Sequence, residues 1–123
     1  MKVAIASDDR MTIAQHFGRT LGFEIFVIED GKIIDQIYRK NDFTGHARGM
    51  EGMSHQVDRH APILEALQDC NAVIANGMGR RIYEDLQNAG IETFIVEEYN
   101  TEQAVRRYIE NKLQDHPEKG CEH

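Results

Sequence analysis

Asp30-Gly31 stands between two runs of strand-forming residues, GFEIFVIED (Gly22–Asp30) and KIIDQIYRK (Lys32–Lys40). An Asp-Gly pair in that setting supplies the two positive-φ positions of a tight hairpin turn. The two runs are therefore expected to be antiparallel neighbours, and every other strand must join a sheet built around them. Ahead of the hairpin, KVAIAS (Lys2–Ser7) is rich in small apolar residues and reads as a short buried strand.

Downstream, the pattern alternates between helix and strand. PILEALQDC (Pro62–Cys70) opens on a first-turn proline and puts Ile63, Leu64 and Leu67 on one face. NAVIANG (Asn71–Gly77) reads as a buried strand. GRRIYEDLQNAG (Gly79–Gly90) reads as a helix with Ile82, Leu86 and Ala89 inward and Gly90 as its stop. IETFIVEE (Ile91–Glu98) is a further strand. Asn100 or Thr101 then caps a helix carrying Val105, Tyr108, Ile109 and Leu113. The order β-β-β-α-β-α-β-α predicts an α/β domain over residues 1–113. Its mixed five-stranded sheet has order 3-2-1-4-5 with three helices on two faces, the arrangement of the ribonuclease H-like motif. Residues 114–123 show no packing pattern and are expected to form a flexible tail.

That topology places candidate sites. The first, third, fourth and fifth strands run the same way, so their C-terminal ends share one edge. Ligands of open α/β sheets bind beyond such ends. The segments leaving that edge are Asp8–Thr20, Asn41–Ala61, Gly77–Arg80 and Glu97–Thr101. His16 lies in the first, within AQHFGRT, with Phe17 expected as a core plug and Gly18 as a sharp turn. The second, expected to be a mobile loop over 41–61, has no helical or strand period. Its donors are His46, Met50, Met53, His55 and His60. Imidazole and thioether suit copper, iron or soft clusters better than calcium or magnesium, and the spacing matches no zinc pattern. In the third, Gly77 and Gly79 precede a helix that begins Arg80-Arg81. Unpaired amides, helix dipole and guanidinium groups there can hold an anion.

Charge and composition narrow the function. The formal net charge is −7, which argues against general nucleic-acid binding. No apolar run approaches the about 20 residues of a membrane span, and the N-terminus lacks a signal peptide's apolar region, so a cytoplasmic address is expected. Two cysteines, Cys70 and Cys121, are too few for a disulfide scaffold. Cys70 is expected to pack at the start of a strand. Cys121 with His116 and His123 could close over a metal, but an unordered tail is a poor preorganised site. A two-metal nuclease needs carboxylates on the first strand and near the end of the fourth. Here the first strand holds none, Asp8 and Asp9 come only at the loop, and the fourth ends in Asn76.

Taken together, QHFGRT, the loop histidines, LQDCNAVIANGMGRRIYEDLQNAGIETF and the final helix resemble the dinitrogenase iron–molybdenum cofactor biosynthesis family. That family includes NifX-like carriers, the cofactor-binding domain of NafY-like proteins and the C-terminal part of NifB. The resemblance spans roughly Met1 to Leu113. Thr20 stands where the family pattern leads to a small Ala, and the Met-rich loop has no cysteine. The resemblance implies a ribonuclease H-like fold and a carrier, not an enzyme, that binds an iron–molybdenum-type or other iron–sulfur or molybdenum cluster (a molybdenum–copper one included). It also implies cluster-assembly or acceptor proteins as partners, with His16, Gly18, Gly77, Gly79, Arg80 and Arg81 around the cluster. Two other readings stay open: a regulatory module binding a small anion or metabolite at the glycine turn, and a metal-dependent hydrolase.

Overall fold

The computed structural model describes residues 1–15, 17, 20–40, 64 and 67–116. Five strands form one sheet: β1 (Lys2–Ala6), β2 (Gly22–Glu29), β3 (Lys32–Lys40), β4 (Ala72–Ala75) and β5 (Glu92–Ile95). Their order is β3-β2-β1-β4-β5, as the hairpin and the two following βα units predict. β2 is antiparallel to β1 and β3, whereas β1–β4 and β4–β5 are parallel. Asp30 and Gly31 adopt φ of 53° and 75°, the positive values that an Asp-Gly hairpin turn requires.

Two helices are present among the described residues, α1 (Arg80–Asn88) and α2 (Thr101–Ile109). The expected third helix, over 62–70, falls mostly outside the described residues; Leu64 is helical and Leu67–Asp69 form a turn. Among the described residues the count is two, not the expected three. Alternation along the strands builds two cores, one on each face of the sheet. Ala4, Ala6, Phe23, Ile25, Val73 and Ala75 face α1, whose Ile82 and Leu86 are buried against them. Val3, Ile5, Phe26 and Ile74 face α2 through Ala104 and Val105. Ala89, expected inward, is exposed, because α1 has already ended: it is the C-cap residue, with Gly90 at φ 84° behind it.

Asn100 is the cap of α2, its side chain accepting from the Gln103 amide at 2.9 Å. β4 and β5 are both shorter than expected, ending at Ala75 and Ile95. β5 stops at Ile95, and the chain beyond Leu113 returns to it. Asp115 Oδ1 accepts from the Ile95 amide at 2.8 Å, and the His116 amide donates to the Ile95 carbonyl at 2.7 Å. Tyr83 on α1 donates to the other oxygen of Asp115. No helix among the described residues is long and apolar enough to cross a membrane.

Leu86 is fully buried between α1 and the sheet. Leu86→Ala should lower unfolding free energy by about 2–5 kcal/mol, the cost of the lost methyl groups and the cavity they leave. Urea denaturation followed by circular dichroism measures it. A loss below 1 kcal/mol, roughly that of a half-exposed site, would contradict the packing of this face.

Candidate functional site

The loop leaving β1 is organised by its own side chains. Asp9 Oδ1 accepts from the amides of Met11 (2.9 Å) and Thr12 (2.8 Å), and Thr12 Oγ1 donates to Asp9 Oδ2 at 2.9 Å. These bonds, the backbone ones first, hold the Asp9 carboxyl down at about 2. Ser7 Oγ donates to the Thr12 carbonyl at 2.6 Å and accepts from the Arg10 amide at 2.9 Å. Asp8 Oδ1 accepts from the Leu21 amide at 2.8 Å and the Thr20 hydroxyl at 3.2 Å, which gives Thr20 a purpose that an alanine could not serve. Both loop carboxylates are thus engaged in shaping the loop.

Arg10 sits at φ 72°, a conformation that costs a non-glycine residue about 1–2 kcal/mol. Its guanidinium forks onto Glu24, with Nε to Oε2 at 2.8 Å and Nη2 to Oε1 at 3.1 Å. Glu24 is completely buried on the α2 side of the sheet, and half-exposed Arg10 covers it while lying 5.4 Å from the Tyr38 ring centroid.

After this turn the chain crosses to the end of β4. The Ala14 amide donates to the Ala6 carbonyl at 2.7 Å, the Asn76 amide to the Ala14 carbonyl at 3.3 Å, and the Phe17 amide to the Gly77 carbonyl at 2.9 Å. Phe17 is fully buried, its ring 5.3 Å from that of Phe23, and serves as the expected plug. A β-carbon on Gly77 would fall within 3.0 Å of the Gln15 carbonyl oxygen, so the glycine is there for close approach. Asn76 ties the same edge to β5: its side-chain amide donates to the carbonyls of Val96 and Glu98, each at 2.8 Å.

Gly79 is the N-cap of α1, with extended backbone, no side-chain cap and no acidic residue in the first turn. Gly79 offers the first amides of α1 no capping side chain of its own, and exposed Arg80 and Arg81 stand beside them. Met78, 2% exposed, anchors the turn in the core.

Of the predicted site residues, the structure brings Gly77, Gly79, Arg80 and Arg81 together at this edge. His16 and Gly18 lie outside the described residues, but both neighbours of His16, Gln15 and Phe17, meet Gly77. His46, Met50, Met53, His55, His60, Cys121 and His123 also lie outside the described residues. Among the described residues, no group of three His, Cys, Asp or Glu side chains is arranged to hold a metal ion. Cys70 is buried, and burial pushes its thiol up to about 12, so it packs as expected and is not a ready thiolate. Sequence reasoning missed Asn76 and Gln15 as parts of the site. Asn76, the polar residue ending a buried strand, was the available signal; Gln15 acts through its carbonyl and gave none.

A family model described as dinitrogenase iron-molybdenum cofactor matches residues 1–111. The chain belongs to this family. An uncharacterized protein of Methanocaldococcus jannaschii is 28% identical over 114 residues, 93% of this chain and 90% of that protein. Protein NifX of Klebsiella pneumoniae is 29% identical over 91 residues; the match takes in 74% of this chain but only about half, 53%, of NifX. Among solved structures, the apo form of the orange protein from Desulfovibrio gigas has the same fold. Its TM-score is 0.66 at 17% identity, with 94% of this chain and 92% of that one covered.

Two outcomes follow from the geometry. Gly77→Ala should force the Gln15–Phe17 segment off the end of β4 and lower stability by about 1–3 kcal/mol, as overpacking does; an unchanged melting temperature would show the approach to be looser than described. Asp9, depressed when folded, stabilises the loop above its unfolded value of about 3.9. That contribution should disappear as pH falls from about 4 through about 2. Amide shifts of Met11 and Thr12 should titrate in that window and should stop doing so in Asp9→Asn.

Proposed function

We propose that this protein is a carrier for an anionic metallocluster, of iron–molybdenum or related iron–sulfur or molybdenum type (a molybdenum–copper cluster included). It holds the cluster at the loop edge of its sheet and hands it to a partner in cluster assembly or use. The observation that carries this reading is the seam between the two loops. The residues on either side of His16 meet Gly77, two positions before the uncapped N-terminus of α1. The segment that carries the His16 imidazole in sequence therefore adjoins an anion-stabilising helix end. Strand order and the two helices on opposite faces support assignment to the ribonuclease H-like motif.

In this reading His16 bonds to metal, and Gly18 lets the chain turn beside it. Gly77, Gly79, Arg80 and Arg81 supply positive potential in a chain of net charge −7. His46, Met50, Met53, His55 and His60 are further donors of suitable softness. The protein works in the cytoplasm and catalyses no reaction: release on demand calls for few ligands, not a closed cage. NifX, a relative 29% identical over 91 residues, supports the assignment to cofactor biosynthesis.

Anaerobic titration with an isolated iron–molybdenum-type cluster, read by visible absorption, tests the proposal. His16→Ala should weaken binding by about tenfold or more, one lost ligand bond being worth at least about 1.4 kcal/mol. Arg80→Ala/Arg81→Ala should weaken it more at low than at high salt. Parent-like affinity of His16→Ala would make His16 structural. The uncapped α1 terminus also favours a second reading, a small anion or metabolite held by the glycine turn. It takes over if the chain binds no cluster but binds a nucleotide there.

A further inference from the structure

The three most exposed large apolar side chains among the described residues all lie at the loop edge: Leu21 at 66%, Met11 at 67% and Tyr99 at 73%. Met11 and Tyr99 stand on one short ladder. Thr12 bridges Asn100, the Ile13 amide donates to the Tyr99 carbonyl at 2.8 Å, and the Thr101 amide donates to the Met11 carbonyl at 2.9 Å. The Leu21 amide is tied to Asp8 at 2.8 Å. The backbone under these side chains is already fixed, so covering them costs little further ordering. Large apolar groups held out at one edge mark an interaction surface.

The two faces of that edge differ in sign. The ladder lies on the α2 side, because Ile13 packs in the core beneath α2 and Thr101 begins that helix. Exposed Asp8 and Asp9 lie in the same loop and, among the described residues, accept only from neutral donors. Exposed Glu97 and Glu102 flank the ladder from the other strand connection. The cations of this side are engaged: Arg10 by Glu24, Arg106 by Glu102 and Arg107 by Glu98, while His116 lies 4.0 Å from Glu97. Asp8 and Asp9 therefore set the sign there. On the α1 side the edge begins with the first amides of α1, Arg80 and Arg81, and no acid stands in the first turn. Glu84 and Asp85 follow one turn further from the edge, and Asp115 is held by Tyr83 and the Ile95 amide.

We propose that two copies of this chain pair loop edge to loop edge, about a two-fold axis that runs along the edge in the plane of the sheet. Such an axis exchanges the two faces, so the same contact is made twice. The Arg80–Arg81 start of α1 in each copy meets the acidic α2 side of the other. Positions along the edge agree. The Thr12–Asn100 bridge joins the chain beyond β1 to the chain beyond β5, and β4, which leads into α1, lies between those strands. Met11 and Tyr99 are covered in the middle. Each copy has a net charge of −7, but at physiological salt charges more than about 8 Å apart are largely screened, so the opposed pairs at the contact decide. Pairing sets carboxylates against the α1 start and so competes with any other anion there. The inference concerns the chain without a cluster and does not rest on the cluster reading.

Sedimentation velocity on the full, cluster-free chain tests it. The sedimentation coefficient should rise with concentration, with half-association at about 10–100 μM, as suits an interface of small size. Arg80→Glu/Arg81→Glu should associate at least about tenfold more weakly, because like charges then meet, and so should Glu97→Lys/Glu102→Lys. An equimolar mixture of these two variants should dimerise about as the parent does, since both contacts again join opposite charges. That rescue also shows that neither variant has lost its fold. Met11→Ser/Tyr99→Ser, with a parent-like circular dichroism spectrum, should weaken association by about tenfold through lost apolar burial. A parent chain that stays monomeric at about 1 mM, far above the range for such an interface, would overturn the proposal. So would charge-reversed variants that dimerise like the parent, or a mixture of them that stays monomeric.

Discussion

One backbone hydrogen bond, from the Phe17 amide to the Gly77 carbonyl, closes the loop edge of this domain. β1 and β4 are parallel neighbours, so both chains leave the sheet at the same edge and must be kept apart or joined. Here they are joined. Gly77 has no β-carbon to exclude the Gln15 carbonyl, and Phe17 pins the segment by burying its whole ring beside Phe23. The Asn76 amide then draws in the chain beyond β5. The connections leaving β1, β4 and β5 thus form one unit, and the start of α1 is positioned by the same contacts that position the residues around His16.

An ion pair between buried Glu24 and half-exposed Arg10 steadies the approach to that seam. Glu24 sits on a central strand with no solvent access, where an unpaired carboxylate would be strongly destabilising. Arg10 neutralises it from the loop and accepts a strained backbone to do so. Thr101 at the start of α2 donates to the Arg10 carbonyl at 3.2 Å, and the Thr101 amide donates to the Met11 carbonyl at 2.9 Å. The loop is held from below by β2 and from the side by α2. Such over-determination is what allows a non-glycine residue to stay at positive φ.

What could be read from the sequence is what depends on local chemistry. Asp30-Gly31 announced its hairpin, Asn100 its cap, and the alternating apolar runs their places in the sheet, because each acts on neighbours a few residues away. The order β3-β2-β1-β4-β5 followed from connectivity. Less legible were features made by partners far apart in sequence. Nothing local marks Glu24 as buried or Arg10 as its lid. Gly77 read as a turn glycine, although its function is to admit a carbonyl from 62 positions earlier. Ala89 fitted the helical period but lay past the last turn of α1. The extent of β5 was overestimated because Val96 and Glu97 continue its pattern, while its edge is occupied by Asp115 and His116. Of the candidate site, the glycine turn and arginines were legible as a helix start; the seam that joins them to the first loop required the tertiary structure.

The connectivity also fixes an electrical direction. A helix that follows a strand begins at that strand's C-terminal edge, so α1 after β4 and α2 after β5 both start at the loop edge and end at the other. Their dipoles therefore align, positive toward the loops and negative toward the hairpin turn. The two starts are not equivalent. Asn100 caps α2 and Glu102 sits in its first turn, which together satisfy and neutralise that terminus. α1 has neither cap nor acid, and begins with two arginines. An anion arriving at a chain of net charge −7 is thus drawn to one helix start and not the other. At the far edge α2 ends with Arg106 and Arg107 in its last turn, which offset the negative partial charge of that terminus. Strand direction thus sets where both helix starts lie, and capping decides which of the two stays open to an anion.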